Sequence, residues 1–341
     1  MPEPISTTPK AVRLPSAIDP RRAERARAAA AVRSKVAAVV LFLAAAFSIV
    51  VTIAIVATLV VESIAFFEHM IQIKNPDLAG AGLWARIGAG GSALVEFATG
   101  TQWSPQFENP KFGILPLISG TLVTTAVALL VAIPIGTISA IWLSEYCPHK
   151  LREIVKPALE LLTAVPTVVF GYFALLFVTP LLQKLNPDLP GANMLSAGLV
   201  MGIMIVPFIA SLSEDAMKAV PGHLREGAYA LGATRVQVAW KVVYPAAFSG
   251  ITAAYILAVA RALGETMIVA IAAGMEAKFT ADPREPAQTL TAFIVSVSGG
   301  DLEHESIGYQ SIFAAGLTLV LMTLSFNIIG HRLRRRYREA Y

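Results

Sequence analysis

The chain has 341 residues, 55% of them hydrophobic and 15% charged, with a mean hydropathy of +0.64. That balance lies outside the range of soluble domains and points to a membrane protein whose apolar surface meets lipid. The net charge of +4 excludes little by itself, because in this class the placement of charge along the chain carries the information. A single cysteine, Cys147, excludes an internal disulfide framework, and the five histidines are too scattered to give metal-ligand spacing.

In chain order, Met1–Lys35 carries eight Lys/Arg against three acids, with Ile18 and Val32 the only large apolar residues between Leu14 and Val36; it reads as a disordered basic tail. Val36–Val61 is uncharged and long enough to cross a bilayer, giving the first span. Glu62–Phe112 reads as an external loop with some interfacial helix near Trp84 and Trp103. Five further spans are expected at Ile114–Leu143, Leu161–Leu182, Met194–Leu212, Ala246–Met275 and Ile312–Gly330. The predicted fold is therefore an all-α membrane protein with six transmembrane helices: a core over 113–331, an internal loop at 213–245, and a basic tail at 332–341.

Alternate loops differ sharply in charge. With the N-terminus inside, the inside segments hold 20 of the 27 Lys/Arg and the outside ones six. The last outside loop is acidic, with Glu276, Asp282, Glu285, Asp301, Glu303 and Glu305. Both termini are thus expected to be cytoplasmic. The terminal R-L-R-R-R-Y-R fits a stop-transfer anchor and also suits anionic headgroups. Pro134, Pro166, Pro180 and Pro207 fall within spans, where each removes a helix hydrogen bond and predicts a kink or break.

The fifth expected span carries A-R-A-L-G-E-T-M, with Arg261 and Glu265 in an otherwise uncharged run. On one continuous helix the two lie about 6 Å apart along the axis and are able to pair. A charge at mid-membrane costs about 2.5 to 3.5 kcal/mol, so ionisable groups there point to a pathway or gate. The Arg-before-Glu order is the poorer one for self-pairing. A guanidinium suits bidentate contact with an oxyanion, and Glu265 would hold it between passages. The hydroxyls of Thr125, Thr167 and Thr266 are lesser candidates, since membrane threonines usually bond back to their own helix.

The loop before that span contains R-E-G-A-Y-A-L-G-A-T-R-V-Q-V-A-W-K-V-V-Y-P, Arg225 to Pro245. Its periodicity predicts two short amphipathic helices broken near Gly232, with Ala228 and Leu231 before the break and Val236, Ala239, Trp240 and Val243 after it. Glu226, Gly227, Ala228, Gly232, Val242, Tyr244 and Pro245 resemble the E-A-A…Gly…Ile-x-Leu-Pro coupling loop of ATP-binding-cassette importer permeases, with the spacing intact. Gly227, Val242 and Tyr244 replace the family's Ala, Ile and Leu. L-I-S-G-T-L-V-T-T (Leu117–Thr125), L-S-E-Y (Leu143–Tyr146), A-V-P-T-V-V-F-G-Y (Ala164–Tyr172) and A-R-A-L-G-E-T-M (Ala260–Met267) are similar to the phosphate-specific, PstC-type branch.

The resemblance implies an ABC importer permease (MetI-like type I) architecture and phosphate as cargo, in the bacterial cytoplasmic (inner) membrane. It also implies a non-catalytic subunit with no cofactor of its own, ATP and Mg being bound by a partner ATPase. Glu226, Gly227, Ala228, Gly232, Val242 and Pro245 would seat against that ATPase. The implied partners are a second permease (PstA-like), a cassette ATPase dimer (PstB-like) and a phosphate-binding protein (PstS-like), with lipid around them and no nucleic acid. No G-x-x-x-x-G-K-[ST] occurs, so nucleotide binding falls to another chain. Molybdate or sulfate cargo is the near alternative. A proton-coupled secondary anion transporter is a distant one, since it leaves the coupling loop without a purpose.

Overall fold

The structure is a computed structural model and describes residues 20–74, 83–107, 109–300, 302–303 and 306–336. The described residues are helical apart from loops and one isolated bridge, Trp103 to Phe112. The chain divides at Thr58/Leu59 into two units. Helix α1, Pro20–Lys74, begins sixteen residues inside the segment expected to be disordered, so Pro20–Lys35 extends the first span. Alanine and arginine there are strong helix formers. Residues 1–19 of that expected tail lie outside the described residues, as do 337–341 of the other tail and Asp301 and Glu305 of the acidic loop. Up to Thr58, α1 presents apolar side chains such as Phe42 and Phe47 outward.

In the second unit, α2 (Leu83–Thr99) supplies the helix expected in the external loop. Phe66, Phe97, Trp103, Phe112 and Phe293 meet edge to face around it. Next come α3 (Leu115–Ile141), which ends in a π-helical turn at Trp142–Tyr146, and α4 (His149–Thr163). Helix α5 (Thr167–Phe173) continues through a π-helical turn into α6 (Thr179–Gln183), and α7 is Met194–Lys218. The internal loop forms α8 (Gly222–Ala230), α9 (Arg235–Val238), a π-helical turn at Ala239–Val243 and α10 (Tyr244–Ala246). Then follow α11 (Phe248–Leu263), α12 (Met267–Ala272), α13 (Leu290–Ser298) and α14 (Ile307–Arg336).

Among the described residues, four helices are long and apolar enough to cross a membrane. Two bent helix pairs pass the same test together, α4 with α5–α6 at 83° and the α9–α10 stretch with α11 at 72°, which gives up to six spans if each pair is one. The expected span at Leu161–Leu182 is therefore interrupted, and the break falls at Pro166, which precedes α5. Pro134 and Pro207 lie inside helices that continue through them.

The expected Ala246–Met275 span is not one helix either. It stops at Leu263 and restarts at Met267, and the chain then folds back through a loop into the buried α13. The loop is tied to the N-terminus of α7: the Met194 and Leu195 amides donate to the carbonyls of Glu285 (3.2 Å) and Pro283 (2.6 Å).

At the centre, α3 and α7 run parallel and meet through glycine. A Cβ on Gly198 would lie 2.7 Å from Val127 Cβ, and one on Gly202 2.7 Å from the Ala128 carbonyl oxygen. This is the small-xxx-small contact by which membrane helices approach without a hydrophobic driving force. Around it Met201, Met204, Ile205 and Ile209 pack with Ala258, Ala262, Ile268 and Ala272.

Candidate functional site

Gly264–Thr266 separates α11 from α12. Arg261 and Glu265 therefore do not share a helix face, and no ion pair joins them among the described residues. Glu265 is 8% exposed, and its Oε1 accepts the Met267 (3.1 Å) and Ile268 (3.3 Å) amides. These are orphan donors of the restarted helix, and a carboxylate is their best acceptor. The Glu265 carbonyl in turn accepts the Thr291 hydroxyl at 2.7 Å. Expected as a partner for arginine, Glu265 instead pins the break.

Around it lies a hydroxyl-lined cleft too tight for a water-sized sphere, bounded by Thr121, Thr124, Thr125, Glu265, Thr289 and Thr291. Thr121 and Thr124 bond back to Leu117 and Gly120, and Thr121 also accepts the Leu290 amide at 3.0 Å. Thr289 and Thr291 hydroxyls lie 3.1 Å apart. Thr125 makes no hydrogen bond among the described residues, which leaves its hydroxyl available. Of the predicted pathway residues, Glu265 and Thr125 are thus brought together.

Arg261, Thr167 and Thr266 do not line that cleft. Thr266 donates to the Gly264 carbonyl within its own turn, at 3.2 Å, and Thr167 begins α5. Arg261 lies with its guanidinium carbon 5.6 Å from the Phe208 ring centroid, and its Nε is buried without a hydrogen-bond partner. A ring face offsets only a fraction of what an arginine loses on leaving water.

The internal loop folds as a knob with its break at Gly232, whose φ of 81° favours glycine. The Gly232 and Ala233 amides close the end of α8 on Tyr229 and Ala228. A reciprocal Thr234–Gln237 capping box then starts α9. Val238, Ala239 and Val243 are buried against Ala140, Ile141 and Met217. Of the apolar residues at helical spacing, Leu231, Val236 and Trp240 are exposed, Leu231 at 91%. Glu226, Gly227 and Pro245 are exposed as well, with Ala228 and Val242 half-buried. The knob therefore shows an apolar face outward.

Two ion-pair clusters behind the knob escaped the sequence reading. Glu214 of α7 has 0% exposed side chain and meets Arg152 at 2.9 Å and Lys156 at 2.8 Å, both from α4. Lys156 also pairs with Asp215. Glu145 pairs with Arg225 at 3.1 Å, and Arg225 donates to the Met217 and Val220 carbonyls. The signal was available, since Arg152 and Lys156 are four apart and share a helix face, and Glu145 stands in the L-S-E-Y motif.

Residues 132–339 match the family described as the inner membrane component of binding-protein-dependent transport systems. The chain belongs to that family. Among its relatives, the permease is 35% identical over 246 residues to a probable ABC transporter permease protein, YqgH, of Bacillus subtilis, covering 72% of this chain and 79% of the other. It is 35% identical over 272 residues to the phosphate transport system permease protein PstC of Mesorhizobium japonicum (73% and 80%). It is also 33% identical over 277 residues to PstC 1 of Mycobacterium tuberculosis (71% and 82%). The fold is shared with a solved bacterial alginate ABC transporter, with a TM-score of 0.51 at 16% identity, covering 80% of this permease and 88% of that chain. It is a multi-pass membrane permease subunit of an ABC importer.

Proposed function

We propose that the permease moves inorganic phosphate across the bacterial cytoplasmic membrane and that Arg261 is its anion contact. The observation that carries this reading is the arginine itself: a guanidinium in a membrane span, over Phe208, with a buried unpaired Nε and, among the described residues, no carboxylate paired with it. A cation kept in that state is completed by a mobile anion, and its planar fork matches two oxyanion oxygens. The absence of a fixed counter-charge keeps the contact releasable. Phosphate as the anion rests on the PstC relatives and on the Ala260–Met267 stretch. Glu265 shapes the pathway by holding the break beside Thr125, not by neutralising the arginine.

In this reading the subunit is not an enzyme. A cytoplasmic ATPase dimer binds ATP and Mg and docks on the apolar knob. A second homologous permease completes the pathway, and an external phosphate-binding protein delivers the ion. Loss of one charge-assisted contact costs about 1.5 to 3 kcal/mol, so Arg261→Ala should lower labelled-phosphate uptake by at least about tenfold in assembled transporters. Arg261→Lys should retain part of it. Undiminished uptake by Arg261→Ala would remove the anion role, and equal competition by molybdate or sulfate would move the cargo to those anions.

A further inference from the structure

Where α14 ends against the first half of α11, two adjoining depressions of about 570 and 420 Å3 share Ala253, His331, Arg334 and Arg335. Ile256, Leu257 and Ile328 add an apolar floor to the larger one, and Arg332 a further cation. Among the described residues, no acidic side chain lines either depression. The helices touch just above, where a Cβ on Gly330 would fall 2.4 Å from Ile256 Cγ1, so the floor is fixed by backbone approach. Leu257 and Ile328 remain about half exposed. Among the described residues, Arg334 reaches His331, at 3.3 Å. A stop-transfer role needs arginines beyond the span and nothing more; it does not explain a roomy apolar hollow beneath them.

We infer that this hollow holds one phospholipid with an anionic headgroup, its phosphate on Arg334, Arg335 and His331 and its glycerol and upper acyl chain on Ala253, Leu257 and Ile328. The mixed lining selects this occupant. A free phosphate ion would use the cations and leave the floor bare, and a zwitterionic lipid would use the floor but bring its own headgroup cation against the arginines, leaving their charge unmatched. The hollow flanks the end of α11 that follows the coupling segment, so a bound lipid would brace the hinge through which the knob moves that helix.

The test is native mass spectrometry of the assembled transporter in detergent, with phosphatidylglycerol or phosphatidylcholine added. Wild type should retain phosphatidylglycerol in preference. Arg334→Gln/Arg335→Gln should bind it roughly twentyfold more weakly, from about fivefold per arginine near a membrane surface. Ala253→Trp keeps every charge, fills the floor and should also weaken retention severalfold, so the inference stays testable if the double variant fails to insert. Lys150→Gln, an exposed charge elsewhere, should change nothing. The inference is overturned if the two lipids are held equally, if either hollow variant binds as wild type does, or if added inorganic phosphate displaces the lipid.

Discussion

Removing Glu214 tests how the bent spans are held together. Its carboxylate is wholly buried and answers two cations of α4, while those cations are only 27% and 20% exposed. Glu214→Ala strands Arg152 and takes from Lys156 one of its two carboxylates. Breaking a buried pair from one side costs about 3 to 5 kcal/mol, because the abandoned charge stays desolvated. Here the lower end applies, about 3 kcal/mol, since Lys156 keeps Asp215 and both cations retain some access to water. Glu214→Gln should cost less, as an amide still accepts. The assay is reversible unfolding in mixed micelles, run as a double-mutant cycle with Arg152→Ala. The single changes should be strongly non-additive, by more than about 1 kcal/mol, as expected of groups in one network. Additive effects, or a Glu214→Ala cost below about 1 kcal/mol, would refute the claim that this carboxylate fastens α4 to α7.

Gly202→Val should destabilise the α3–α7 pair by about 1 to 3 kcal/mol, because the obstacle is the Ala128 carbonyl and not a side chain free to rotate away; the same unfolding assay reads it. Leu231→Asp should leave that assay unmoved while sharply reducing ATPase co-purification, because the side chain is 91% exposed and touches little of its own chain. The external loop should loosen on acidification. The Arg284 guanidinium hydrogen-bonded to Asp282 holds that carboxyl at about 2, and the Lys278 ammonium pulls Glu285 down. Both folded values lie below the unfolded ones, so the contribution is complete only above roughly pH 5 and is lost as pH falls through the folded values toward about 2. Pepsin cleavage within 276–289, normalised to an unstructured peptide, should rise over that window; a flat ratio would argue against it.

Much of the architecture was legible because bilayer thickness imposes run lengths that show directly in the sequence, as in Met194–Leu212 against the observed Met194–Lys218. The coupling segment was legible through Gly232, whose positive φ is a local demand. What hydropathy hid was the break at Gly264–Thr266. An apolar run gives the same signal whether it crosses once or restarts and folds back, and the groups that decide between them, Glu265 and Thr291, are 26 residues apart. The pairing expected for Arg261 and Glu265 failed for the same reason, since helical spacing applies only while the helix continues. The exposure of Leu231, Val236 and Trp240 was not legible, because periodicity identifies an apolar face without saying what covers it.

The pin at Glu265 has a mechanical consequence. Its side chain covers the amides that restart α12 while its own carbonyl is tethered to Thr291 of α13, so one residue fastens three segments. Any widening of the hydroxyl-lined cleft that separates α12 from α13 must either carry both together or release Glu265 from one of them. The residue therefore behaves as a fuse: the strength of two amide contacts and one hydroxyl contact sets the threshold force at which the cleft parts, and softening any of the three would lower that threshold.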